Sequence, residues 1–136
     1  MSDPLARFQK AQLIAHEISD QSKRGLQSYH AFAVMEKSDK SSRLQIKRVA
    51  GSSHAPSYNA LLDICYDGVH GTGLVLVYSF MQVKIKGKNL QALISAIEKH
   101  ECAYIQDYHE HFFTPPKPEE AFIEAIEVVM SMAEHH

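Results

Sequence analysis

The hydrophobic pattern changes period twice between Leu74 and Gln106, and each change predicts an element. Residues 74–78 are an unbroken run of Leu, Val and Tyr, the pattern of a strand covered on both faces. From Met81 the chain alternates, with Met81, Val83 and Ile85 on one side and Gln82, Lys84 and Lys86 on the other. That is a strand with one face in water. The two stretches together predict one long strand that begins buried and emerges toward solvent, ended by Gly87. Asn89 is placed to cap a helix whose buried stripe is Leu90, Leu93, Ile94 and Ile97. Lys99 and His100 fall in its last turn, where a cation suits the helix dipole. Cys102–Gln106 returns as a strand and completes a β-α-β unit over residues 74–106.

The flanking segments extend this pattern. Residues 4–24 carry Leu5, Phe8, Ala11, Ile14, Ala15 and Ile18 at helical spacing, with Pro4 at the first turn and Gly25 at the stop. Residues 29–36 and 43–49 alternate and predict a hairpin across the polar turn 37–42. A loop over 51–56 leads to a short strand at 60–66, and the glycine-rich segment 67–73 predicts a hairpin turn into the central strand. Beyond the proline-rich connector 114–118, Phe122, Ile123, Ile126, Val129, Met130 and Ala133 predict a helix over 119–133. An edge strand over 122–130 is the competing reading. The expected fold is a single α+β domain, residues 1–136. A mostly antiparallel sheet of about five strands would be flanked by amphipathic N- and C-terminal helices.

Composition narrows the class but not the activity. An apolar fraction of 45% and a charged fraction of 22% are ordinary for a soluble globular chain of 136 residues. No apolar run approaches the length of a bilayer span, so no membrane association is expected. Cys65 and Cys102 form no C-x-x-C motif and are too few for a disulfide framework, and a cytoplasmic location follows as the expectation. The net charge of −2 hides an asymmetry. Residues 1–88 hold 12 Lys/Arg and 7 Asp/Glu, net +5, and residues 89–136 hold 2 and 9, net −7. Such a split suits a charged partner or self-association, although two solvated faces of different sign explain it as simply.

Two constellations carry candidate chemistry. His100, Cys102, His109 and His111 fall within twelve residues and are of the ligand types zinc takes. They would converge only if the chain bends near Tyr108, and their spacing matches no familiar metal motif. Surface histidines beside a buried cysteine are the simpler reading. Lys84, Lys86 and Lys88 project from one face of the central strand, and Lys47 and Arg48 would join them if the strands adjoin. A basic sheet with aromatic residues can hold single-stranded nucleic acid. Lysines on an exposed strand also deter aggregation without any ligand. The run Gly68-Val69-His70-Gly71-Thr72-Gly73 is followed by a strand, whereas a phosphate-cradling loop needs a helix there.

Neither cysteine lies in a nucleophile motif, no carboxylate pair stands out, and no cofactor is expected. The sequence supports no catalytic assignment. The reading it favours is a non-catalytic protein-interaction module that self-associates, as a homodimer. The alternatives are a nucleic-acid-binding module using the lysine face and a metal-dependent protein using the His/Cys cluster.

Overall fold

A computed structural model describes residues 26–36 and 42–131. Nine strands follow in chain order: β1 (Gln27–Ser28), β2 (Phe32–Val34), β3 (Gln45–Lys47), β4 (Leu61–Tyr66), β5 (Gly73–Tyr78), β6 (Met81–Lys88), β7 (Cys102–Gln106), β8 (Phe113–Thr114) and β9 (Phe122–Met130). Among the described residues there is one α-helix, α1 (Gln91–Glu98), between β6 and β7, and a 3-10 turn (Tyr58–Ala60) precedes β4. Three sheets result: a four-stranded antiparallel sheet in the order β4-β5-β6-β9, a three-stranded sheet β2-β7-β3, and the parallel pair β1-β8.

This architecture overturns the expected α+β fold. Strand accounts for 47% of the described residues and helix for 11%, so the described part of the chain is mostly β. The expected C-terminal helix over 119–133 is instead β9, a nine-residue strand laddered to β6 from Met130 to Phe122. The expected N-terminal helix over 4–24 lies outside the described residues. The predicted long central strand is two strands, because the chain reverses at Ser79-Phe80 and β5 pairs antiparallel with β6. The β-α-β unit over 74–106 is also not formed. β6, α1 and β7 follow one another as predicted, but β6 and β7 belong to different sheets. Nor do β2 and β3 make a hairpin, since both flank β7, the first antiparallel and the second parallel.

The core explains the arrangement. On β5 and β6 buried and accessible residues alternate, putting Leu74, Leu76, Tyr78, Met81, Val83 and Ile85 on one face. Leu93, Ile94 and Ile97 of α1 join the same buried cluster, as do Ile46 and Ile105 of the smaller sheet, Leu44 just before β3, and Ile123 and Ile126 of β9. Burial of that apolar surface is the main drive for the assembly. The helix is entered without the predicted cap. Asn89 takes a left-handed backbone (φ 57), and its side-chain amide donates to the carbonyls of Pro118 at 2.9 Å and Glu120 at 3.1 Å. Asn89 thereby ties the helix entrance to the approach to β9. No helix among the described residues is long and apolar enough to cross a membrane.

Candidate interaction face

The four-stranded sheet covers the core with one face, and among the described residues its other face is open. Its outer rows follow from the strand registers: Cys65–Val75–Lys84–Glu127, Asp63–Val77–Gln82–Val129 and Gly73–Lys86–Ala125. Directly opposed residues in such a ladder share a face, so each row is a band of neighbours. Lys86 lies between Gly73 and Ala125, which have almost no side chain, and the surface sinks there. A shallow groove of about 650 Å³ results, lined by Cys65, Val75, Lys84, Lys86, Ala125 and Glu127 among others.

The structure gathers part of the predicted basic set. Lys84, Lys86 and Lys88 are all exposed on this one face of β6. Lys84 stands opposite Glu127, a carboxylate that offsets its charge. Lys47 and Arg48 do not join them, because β3 pairs with β7 in the other sheet. The Lys47 ammonium sits 4.0 Å from the centre of the Tyr104 ring. The Arg48 guanidinium donates through Nη1 to the carbonyl of Ser52 at 3.1 Å.

Of the predicted metal ligands, only His109 and His111 come together. Their ring centroids are 5.0 Å apart, and the His111 N–H donates to His109 Nδ1 at 3.1 Å. Cys102 is wholly buried in β7, its thiol donates to the Tyr104 carbonyl at 3.2 Å, and burial pushes its pKa up to about 12. His100 takes a left-handed backbone after the helix and stacks on the Tyr58 ring at 4.5 Å. Among the described residues no group of three or more His, Cys, Asp or Glu side chains is arranged to hold a metal ion.

The remaining candidates also find structural roles. Residues 67–73 form the β4–β5 turn, in which the Asp67 carboxylate accepts the N–H of Val69 at 3.0 Å. Cys65 is exposed in the groove, and its thiol donates to the Asp63 carboxylate at 3.5 Å. That bond and the nearby negative charge raise its pKa, which holds the sulfur as the less nucleophilic thiol.

What the sequence did not reveal is the contrast between the two edges of this sheet. β4 is guarded in two ways, by a bulge between Leu61 and Asp63 and by the Asp63 carboxylate, which accepts the N–H of Ile64 at 2.8 Å. Bulges and charges of this kind keep an edge from recruiting another strand. β9 is guarded at its start, where a bulge inserts Glu124 between Ile123 and Ala125, and where Ile123 donates its N–H to the Tyr29 hydroxyl at 3.0 Å and accepts the N–H of Tyr108 at 2.9 Å.

Further along β9, no such partner is found among the described residues. The Ser131 N–H bonds the Phe80 carbonyl at 2.8 Å, which fixes the alternation of the ladder. Ala125, Glu127 and Val129 turn their peptide groups toward β6, and Ile126, Val128 and Met130 turn theirs outward. Among the described residues no strand lies against that side. Phe80, Val129 and Met130 are exposed by 43%, 40% and 52% and gather at this same end of the sheet. The sequence signal for the edge was the β-branched content of residues 122–130, outweighed there by their helical spacing.

Compared with known protein families, curated proteins and solved structures, the chain matches none. The geometry therefore carries the functional reading alone. An edge with outward peptide groups and exposed apolar side chains is equipped to add a strand from another chain. Backbone hydrogen bonds would supply the affinity and alternate side chains the specificity.

Proposed function

We propose that this chain is a non-catalytic protein-interaction module that binds by strand addition at the β9 edge. The observation that supports the reading is the coincidence of Phe80, Val129 and Met130 with the outward peptide groups of Ile126, Val128 and Met130. Scattered apolar residues on a surface are ordinary, but exposed apolar residues on both faces beside an unpaired edge are a liability unless they are used. The guarded β4 edge sharpens the contrast, since the same sheet blocks one side and, among the described residues, leaves most of the other open.

Photo-crosslinking in cells tests the reading. A photo-activatable side chain at Val129 should form a covalent adduct with protein, whereas one at Val69, 80% exposed in the β4–β5 turn, should not. No adduct from Val129, or equal labelling from both positions, would overturn it.

A further inference from the structure

Resting on that reading, we infer that the strand added at β9 is β9 of a second copy, antiparallel and related by a two-fold axis through Val128. Two copies would then share one continuous eight-stranded sheet in the order β4-β5-β6-β9-β9-β6-β5-β4.

The register follows from which residues face outward and where the charges lie. An antiparallel pair exchanges hydrogen bonds between residues whose peptide groups face each other. On β9 these are Ile126, Val128 and Met130. Centring the axis on Val128 sets Val128 against its own copy and each Ile126 against Met130 of the other, so every outward peptide group is used. An axis on Ile126 would leave Met130 unpaired and draw in Glu124, the extra residue where the register shifts between Gly87–Ile123 and Lys86–Ala125. An axis on Glu127 would set two carboxylates directly opposite each other, which is unfavourable. An axis on Val129 avoids that clash but sets Ile126 opposite residue 132, outside the described residues.

Side chains support the same register. With the axis on Val128, each Glu127 faces Val129 of the second copy and keeps Lys84 across the ladder on its own side. The outer surface would then run Cys65–Val75–Lys84–Glu127 and continue into Val129–Gln82–Val77–Asp63 of the second copy, with no like charges opposed. On the other face Val128 meets Val128, and the exposed Met130 packs against Ile126, extending the hydrophobic layer across the junction. A second copy thus covers the apolar end of the sheet with the residues that form it, as a two-fold interface requires.

Sedimentation velocity of the purified full chain at micromolar concentration, with hydrogen exchange, tests the inference. The expected species has twice the 15.3 kDa chain mass. The amides of Ile126, Val128 and Met130 should exchange at least tenfold more slowly than in dilute monomer. Val128→Lys should restore the single-chain mass and fast exchange. Met130→Lys should do the same, and because Met130 is half exposed this variant folds without the dimer. Val69→Lys should remain dimeric.

A dimer that survives Met130→Lys would place the interface elsewhere and overturn the inference. A wild-type monomer whose Val129 crosslinks to a different protein would overturn it too, while leaving the interaction reading in place. A monomer with no adduct would remove both.

Discussion

The Tyr29 hydroxyl accepts the N–H of Ile123 at 3.0 Å across 94 positions of chain, and the same hydroxyl donates to the Gln106 carbonyl at 2.6 Å. One buried phenol thus clamps β7 to the start of β9. Its ring packs edge-on against Tyr108, Phe113 and Phe122, with centroids 5.3, 5.4 and 6.0 Å away. Tyr29→Phe keeps those ring contacts and removes both hydrogen bonds, leaving a buried N–H without a partner. We expect a loss of about 1–3 kcal/mol in denaturant unfolding. A change under about 0.5 kcal/mol would mean that water reaches this site and replaces the hydroxyl.

Gly87 has no room for a side chain. It sits at the register shift between β6 and β9, and a Cβ there would collide with the carbonyl oxygen of Phe122. The obstruction is backbone on the neighbouring strand, which cannot swing aside as a side chain can. Gly87→Ala should therefore cost about 3 kcal/mol and loosen β9 from β6. Amide exchange of residues 122–126 should accelerate more than that of β4, and a variant as stable as the parent would place the bulge elsewhere.

The buried core and the exposed face of β6 should respond very differently to truncation. Leu93 and Ile97 of α1 are wholly buried in the core, and replacing either with Ala should cost about 2–5 kcal/mol. Lys84→Ala and Lys86→Ala, on the exposed face, should each change stability by less than about 0.5 kcal/mol. A Lys86→Ala loss matching that of Leu93→Ala would reverse the assignment of the faces.

Alkali should unfold the protein before its buried phenols ionise freely. Burial pushes Tyr78 up to about 12 and raises Tyr29 and Tyr58 as well, and it pushes the Cys102 thiol up to about 12. A folded-state pKa above the unfolded one means that the native state holds its proton more tightly. The stabilisation is complete below the unfolded pKa, about 9 for the thiol and 10 for the phenols, and declines as the pH rises toward 12. Melting temperature should fall steeply between these limits, with phenolate absorbance appearing together with the loss of far-ultraviolet signal. Full phenolate formation near pH 10 in an intact fold would contradict it.

Local pattern decided a good part of this protein. Period-two alternation alone set the faces of β6, with Met81, Val83 and Ile85 inward and Lys84 and Lys86 outward, and the buried stripe Leu90, Leu93, Ile94 and Ile97 followed from helical spacing. The turn at 67–73 and the helix after Asn89 were legible for the same reason, since turns and short amphipathic helices are specified by neighbours in sequence. The lysine face was legible too, as far as it belongs to one strand.

Tertiary structure decided what depends on distant partners. Residues 122–130 read as helix because Ile123 and Ile126, three apart, both face the core. In a regular strand they would point to opposite faces, but the register shift opposite Lys86 and Gly87 inserts one residue between them and restores the alignment. The bulge mimics helical spacing, and only pairing with β6 reveals it. Likewise β2 and β3 share a turn in sequence yet both choose β7, and β6 and β7 flank one helix yet enter different sheets. Strand order is fixed by which long-range pairings bury the most apolar surface together, a property of the assembled core that no window of sequence contains.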